Sequence, residues 1–486
     1  MSTAAPSAVF AQSVEVFTTS DAGARLEPGK GLRFETPRRD TRNMISVGPA
    51  EDGHPIIGFG AGFSEAGLMS INALSADKQE EVFAALFSED KGIGMSAMTT
   101  PIGASPMSSA GDYFSYQDKA GDVALDGFAV DRDLGENGVA TFIKRAKGHG
   151  AFVTLASMYY PPDWMLIDLS TNTKLMIHPH HYATASKYLI KYLEAYRKKG
   201  IDIEYISPFN EPGNYTKISY SEYANLVSTH FAPDLKNSGL ATRLMLGDAT
   251  LRSIAAVAYP QIFENSTLLN AAYGLTYHGY DAGFDGQNTP EAGAHNVIGL
   301  HKTYPDKPLW MSETGECDNM IPLEYGWKCR SIDLPRLSLA TSRFWGRQIF
   351  SDLAAGASAW SFANAVLDQR GGPVLVSGPH NFLPVNRQQA LVHIDRDKKT
   401  VTYTGAYYAL GHFSKFVRPG SVRLKSEGEV PDVEFLVFER PDGKLVAQAM
   451  NKAAEKQTIH IAWNGRTLPA ALPAHSQSTF IWSGDK

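Results

Sequence analysis

Eight short apolar runs, each followed by a stretch of helical character, recur through the first three quarters of the chain and constrain its fold more than any other feature. They begin at Ile56, Ile93, Ala151, Ile203, Leu244, Gly274, Pro308 and Ala357. Runs this short, bounded by turn residues, read as strands buried on both faces. Strands of that kind alternating with helices imply parallel pairing through crossovers. The intervening periodicity predicts helices over Ala76–Phe87, His181–Lys199, Tyr220–Ser238 and Leu334–Ala355. Eight βα repeats over roughly 300 residues fit the α/β class and a (β/α)8 TIM barrel, placed at residues 55–380. A doubly wound sheet is the alternative, but its phosphate loop is missing. In Gly58-Phe59-Gly60-Ala61-Gly62-Phe63 the third glycine of a dinucleotide fingerprint falls on Phe63.

Beyond about Gly372 the helical period stops. Thr400–Tyr403, Val433–Phe438, Leu445–Met450, Thr458–Trp463 and Thr479–Trp482 are short strand-like runs separated by turn residues, the pattern of a β-sandwich, expected over 381–486. The N-terminal segment 1–54 holds two more such runs, Val14–Thr19 and Leu32–Phe34. They lack partners nearby and are expected to join the C-terminal sheet. A length of 486 residues agrees with two domains.

Charged residues at 20% and a net charge of -6 give no basic surface for nucleic acid. No apolar run approaches the roughly 20 residues that span a bilayer. Met1–Val14 shows no basic-then-apolar leader; a secreted or periplasmic mature chain is still the expectation, with the cytoplasm as alternative. Cys317 and Cys329 are the only cysteines. A local disulfide and two unpaired thiols both stay open, while the lack of matching histidines argues against zinc.

The chemistry is expected at strand ends, because a barrel's active site lies at the C-terminal ends of its strands. The fourth strand runs into Asn210-Glu211-Pro212, and the seventh, Leu309-Trp310-Met311-Ser312-Glu313, ends in a second glutamate. A residue before proline avoids helical angles, so Glu211 is expected extended. Two carboxyl groups facing each other at roughly 5–5.5 Å are what a retaining glycosidase requires. Unrelated surface salt bridges are the competing reading, and placement at two strand ends weighs against it. No Gly-x-Ser-x-Gly elbow supports a serine hydrolase. His178, His180 and His181 precede a helix without a carboxylate at ligand spacing, and read as a surface loop. Glu313, Glu316 and Asp318 form an acidic cluster that is a weak candidate for a cation.

At these residues the sequence resembles glycoside hydrolase family 30, over nearly its whole length. The resemblance is carried by Gly58–Ala66 with Asn72-Ala73-Leu74-Ser75, by Asn210-Glu211-Pro212 and by Trp310-Met311-Ser312-Glu313. Gly371-Gly372-Pro373 and Tyr408-Ala409-Leu410-Gly411-His412-Phe413-Ser414-Lys415-Phe416 complete it. It implies that Glu211 is the acid/base and Glu313 the nucleophile, so that Glu211 should carry the raised pKa while Glu313 stays ionised. It implies that Asn210 binds the sugar 2-hydroxyl, that His278 and Tyr280 belong to a His-x-Tyr motif whose tyrosine holds the nucleophile, and that Trp360 floors the subsite. Tyr159 and Trp164 stand at the place of a third-strand aromatic, and Asn364 completes the substrate-binding candidates. Two positions depart from the pattern. Thr99 replaces a usual arginine, and the sugar-gripping aspartate has no clean match; Pro106 or Ser108 aligns there, with Asp112 the nearest carboxylate. The implied activity is retaining hydrolysis of a β-linked glycoside, glycolipid or oligosaccharide, without metal or organic cofactor. Endo cleavage of xylan, β-1,6-glucan or galactan is the alternative within the family, and a lapsed glycan-binding barrel is the alternative outside enzymes.

Overall fold

The computed structural model describes residues 13–37, 42–108, 114–167, 177–213, 218–264, 266–281, 290–315, 319–323, 326–330, 337–372 and 387–484. The barrel strands are β1 (Gly58–Ala61), β2 (Ala97–Ile102), β3 (Val153–Met158), β4 (Tyr205–Ser207), β5 (Arg243–Ala249), β6 (Gly274–His278), β7 (Leu309–Glu313) and β8 (Ala357–Phe362). They pair in parallel around the order β1-β8-β7-β6-β5-β4-β3-β2. A bridge between Gly62 and Thr99 brings the two ends of that order together. The glycines of β1 serve this closure. A Cβ at Gly60 would stand 2.0 Å from the Ala97 carbonyl oxygen, and one at Gly62 2.2 Å from that of Ala363. Any side chain there would push the barrel wall apart.

Successive side chains on a strand face opposite sides. One set fills the interior: Ala97, Leu155, Tyr205, Met245, Trp310 and Ala359 form a single buried cluster. Trp310 lies across it with its indole N–H donating to Ser361 Oγ at 3.0 Å, so the largest interior side chain is polar-satisfied. Truncating a core aromatic of this kind costs about 3–5 kcal/mol. The opposite set on β8, Trp360 and Phe362, packs outward against the helix Thr341–Ala354, with Trp345 and Phe362 rings 4.7 Å apart.

The helices Ala76–Phe87 and Tyr182–Lys198 form where periodicity places them. The single helix expected over 220–238 is interrupted by a π turn at Val227–Phe231. Pro233 follows at once, and its missing N–H cannot continue the regular ladder.

The barrel unit comprises Ile57–Leu410 and therefore runs past residue 380. Thr400–Tyr403 does not enter the sandwich. It pairs with Val392–Asp395, which pairs in turn with Val366–Asp368 just after β8. The other unit joins Met1–Ile56 to Gly411–Lys486. Within it Ser13–Ser20 runs antiparallel to Ser476–Ser483, and Met44–Ala50 lies between Val422–Glu427 and Gln457–Trp463. Val14, Phe34, Ile45, Ile459, Phe480 and Trp482 form part of its core. Among the described residues no helix is long and apolar enough to cross a membrane.

Candidate active site

At the C-terminal ends of the barrel strands a cavity is lined by Thr99, Tyr159, Asn210, Glu313, Asn364 and Gln388, among others. Glu313 lines it, and Glu211 is brought beside it through His278. A carboxylate oxygen of Glu211, one of Glu313 and a ring nitrogen of His278 lie within 4.8 Å of one another. Two carboxylates and an imidazole also make a metal-binding donor set. Here the groups already satisfy one another and their neighbours by hydrogen bonds.

Glu211 is 7% exposed and does not have the extended backbone expected before Pro212; its φ is +46°. The reason lies in its contacts. Its N–H donates to the Asp248 carbonyl at 3.2 Å, and the preceding Asn210 N–H donates to Met158 at 2.9 Å. These bonds hold a left-handed conformation that costs about 1–3 kcal/mol for a non-glycine residue. Its side chain meets His278, with Nδ1 3.0 Å from Glu211 Oε1. Asn210 is 3% exposed and lines the cavity.

Both oxygens of Glu313 accept from phenols. Tyr280 donates to Oε1 at 2.6 Å, and Tyr159 donates to Oε2 in a very short contact. Burial and the Glu313 charge hold both hydroxyls well above their ordinary pKa, so they remain donors. Burial also raises the Glu313 carboxyl, with the Glu211 charge adding to it, while the charge of His278 and the two phenols oppose. The shift of Glu313 is upward, against the ionised state expected of it. Its cause is enclosure beneath the two tyrosines, yet two hydroxyl donors on its two oxygens describe an acceptor, the ionised form.

His278 is 1% exposed. Burial works against its charge, but the carboxylates of Glu313 and Asp248 and the hydrogen bonds to Asp248 and Glu211 outweigh it and hold its pKa well above the ordinary value. The turn that follows it is pinned from behind. Arg252, fully buried, donates to the Gly279 carbonyl at 3.1 Å, to Asp281 at 2.8 Å and to Asp352 at 2.7 Å.

The structure brings together Asn210, Glu211, His278, Tyr280, Tyr159 and Glu313, and sets Asn364 in the cavity wall, where its amide donates to Gln388 at 2.7 Å. It does not bring Trp360. That indole is fully buried on the outward face of β8 and donates to Asp352 at 3.1 Å, so the residue expected to floor the subsite belongs to the helix layer. Trp164 is half-buried in a short turn after β3, donating to the Gln117 carbonyl at 2.9 Å and meeting the His181 ring edge-on. Thr99 and Pro106 line the cavity, whereas Ser108 closes a local turn on Ser105. Asp112, Glu316, Asp318 and Cys317 lie outside the described residues, and with Cys317 the disulfide question. His178, His180 and His181 form a half-exposed turn before the helix Tyr182–Lys198.

Sequence reasoning missed Asp248. It is the penultimate residue of β5, one short of Ala249, so a rule that looks at the last residue of a run passes it over.

Comparison with known proteins identifies the family. The pattern of the glycosyl hydrolase family 30 TIM-barrel domain matches residues 56–417, and that of the family's beta sandwich domain matches 420–480. The chain is 23% identical to the lysosomal acid glucosylceramidase of Mus musculus over 483 residues, covering 96% of this chain and 88% of that protein. It is 25% identical to the endo-1,6-beta-D-glucanase BGN16.3 of Trichoderma harzianum over 476 residues, covering 92% and 88%. The solved structure of the endo-beta1,6-glucanase BT3312 superposes with a TM-score of 0.81 at 21% identity, covering 97% of this chain and 99% of that one. With its barrel and its sandwich both matched, the chain belongs to glycosyl hydrolase family 30, and it is a retaining β-glycosidase.

Proposed function

We propose that Glu313 is the nucleophile and Glu211 the acid/base of a double displacement on a β-D-glucoside. One observation carries the double displacement. The two carboxylates approach within 4.8 Å, on the scale of roughly 5–5.5 Å for retaining enzymes and short of the roughly 6.5–9.5 Å that leaves room for an inverting water.

In the first step Glu313 attacks the anomeric carbon, the glycosidic C–O bond breaks, and the proton of Glu211 passes to the leaving oxygen. In the second, Glu211 takes a proton from water, the water oxygen bonds to the anomeric carbon, and the ester to Glu313 breaks. Asn210 is placed to hydrogen-bond the 2-hydroxyl, an interaction that strengthens in the transition state. Where relatives of this family usually have an arginine, Thr99 offers a hydroxyl. Tyr159, Tyr280 and the charge of His278 take over the support of Glu313.

The sugar assignment rests on two supports. Around the catalytic groups the cavity wall offers Ser64, Thr99, Ser105 and Asn364, neutral partners for hydroxyls rather than for a uronic acid. The relatives named above are a glucosylceramidase and endo-1,6-β-glucanases, which share a β-linked glucosyl unit as the group transferred. Attack within a β-1,6-glucan is the second reading, favoured by the BT3312 superposition. Action outside the cytoplasm is part of the same proposal, checked by activity in a periplasmic or culture fraction.

The test is turnover of an aryl β-glucoside beside β-1,6-glucan. Glu313→Gln is expected to abolish both, and Glu211→Gln to lower the rate by about 10²–10⁴. Azide should rescue Glu211→Gly as a β-glucosyl azide. Wild-type-like rates in either glutamine variant, or an α-configured azide product, would overturn the assignment. A wild type that binds but never cleaves would leave a glycan-binding barrel.

A further inference from the structure

Asp248 is fully enclosed at the end of β5, 2% exposed, and takes no part in the double displacement as written above. Side chains from three other strands nevertheless converge on its carboxylate. Ser312 of β7 donates to Oδ1 at 2.6 Å, Ser157 of β3 donates to Oδ2 at 2.9 Å, and His278 of β6 places Nε2 3.2 Å from Oδ1. The other ring nitrogen of His278 is the one that meets Glu211. One imidazole therefore joins two carboxylates on neighbouring strands.

The backbone adds an independent observation. Asp248 has φ +58° and Glu211 φ +46°, both left-handed without glycine, and the two are tied directly by the Glu211 N–H to Asp248 carbonyl bond. Two strained residues at adjacent strand ends, bonded to each other, aim both carboxylates at one ring. Backbone strain of this kind persists only where surrounding contacts over-determine it, and it clusters at functional sites.

We propose that Asp248 is a positioning residue that holds His278 as a fixed donor to Oε1 of Glu211, so that the reacting proton is carried by Oε2. The argument is one of proton accounting. A ring flanked by carboxylates on both nitrogens donates through both and is an imidazolium. With Nδ1–H engaged on Oε1, that oxygen of a neutral Glu211 acts as the carbonyl oxygen and the O–H lies on the other. When Glu211 gives its proton to the leaving group, Oε1 keeps its donor, and the positive ring stabilises the new carboxylate with no proton changing hands on His278. When Glu211 takes a proton from water, the same geometry returns it to Oε2. Asp248 keeps the ring in place and charged, as an outer partner orients a ligating histidine in metal sites. The charged and titratable groups facing His278 are Glu211 from the β4 end, Asp248 from β5, Glu313 from β7 and Tyr280 from its own loop, whose ring centre is 5.9 Å away.

The inference rests on Glu211 being the acid/base, so wild type and Glu211→Gln are measured first. Asp248→Asn keeps an acceptor for Nε2 but removes the charge. It is expected to move the alkaline limb of the kcat/KM profile about one pH unit toward acid, because a ring with one carboxylate fewer loses its proton sooner. It should also lower kcat/KM by about tenfold to a hundredfold for an alkyl β-glucoside, which needs protonation to leave, and by under about threefold for the 2,4-dinitrophenyl glucoside, which does not. Equal losses on both substrates with an unmoved pH profile would reduce Asp248 to a structural role and overturn the proposal. Failure of the earlier reading looks different: Glu211→Gln would then be as active as wild type. A second measurement needs no variant at this residue. Nitrogen-15 spectra of histidine-labelled wild type, with His278 assigned by loss in His278→Gln among the 14 histidines, should show two protonated ring nitrogens at pH 7.5. A neutral ring there overturns the proposal even if Asp248→Asn does not fold.

Discussion

His278 in the barrel and His412 in the sandwich are both buried to about the same degree, and the two surroundings treat them in opposite ways. His278 lies between two carboxylates and is held charged. His412 lies between two hydroxyls, Nδ1 2.7 Å from Thr479 Oγ1 and Nε2 2.9 Å from Thr19 Oγ1. The Thr479 hydroxyl donates onward to Gln448, so it accepts from Nδ1–H. The Leu26 N–H occupies Thr19 as acceptor, so the Thr19 hydroxyl is left to donate to Nε2. That network fixes one neutral tautomer. Burial alone pushes His412 down to about 3. The lesson is that enclosure does not mark a functional histidine; the charge of its partners does.

The largest effects should come from exchanging each ring for an amide. His278→Gln removes a charge beside both catalytic carboxylates. It is expected to lower kcat/KM by about a hundredfold or more, roughly 3 kcal/mol of transition-state stabilisation. His412→Gln removes a satisfied ring whose hydrogen bonds lie within the sandwich unit. Activity per folded molecule should stay at the wild-type value, while stability falls by about 1–3 kcal/mol. Initial rates normalised to folded fraction separate the two. A large rate loss in His412→Gln would end the comparison.

A smaller effect concerns acid. The folded pKa of His412, about 3, lies below the ordinary 6.5. Its contribution to stability is therefore complete above pH 6.5 and is lost as pH falls toward 3. At pH 5 the loss is about 2 kcal/mol. The sign for His278 is reversed: its folded pKa is raised, so its contribution is complete below 6.5 and is lost as pH rises through the folded value. Amide exchange in the strand Ser476–Ser483, corrected for intrinsic rates, should accelerate between pH 7 and 5. Unchanged protection would show that the His412 ring is not held neutral by its site.

The same contrast between partners explains what the sequence disclosed. Glu211 and Glu313 are visible because each ends an apolar run, and strand ends of a barrel face the site whatever the rest of the chain does. The Gly411–Phe416 run, specific enough to support the family resemblance, has a structural job, since His412 and Phe416 pack within the sandwich. Trp360 follows strand phase rather than family position. Ala359 and Ser361 face inward, so the residue between them faces out. Asp248 was hidden for another reason. Its role comes from Ser157, His278 and Ser312, far apart in sequence, and no local pattern announces a carboxylate gathered from three strands. Thr400–Tyr403 is a like case, because a strand's period says that it pairs and not with what.

The smallest expected effect tests the comparison on a carboxylate. Asp133 resembles Glu313 in accepting from two phenols, Tyr116 and Tyr196, both at 2.5 Å on one oxygen, while its other oxygen makes no hydrogen bond. The charges acting on it are those of Glu65 and Arg132 rather than an imidazolium. Burial raises its pKa to about 6, with the two tyrosines opposing. The folded value lies above the ordinary 3.8, so folding takes up a proton between about 6 and 3.8 and stability rises as pH falls through that window. From pH 7 to 5 the gain is about 1 kcal/mol, opposite in sign to the His412 effect. Local exchange in the helix Tyr182–Lys198, which carries Tyr196, should slow over that range in wild type and stay flat in Asp133→Asn. If the two proteins respond alike, two phenols and the Arg132 charge suffice to keep a buried carboxylate ionised, and the imidazolium beside Glu313 would lose its claim to be what separates the catalytic carboxylate from the structural one.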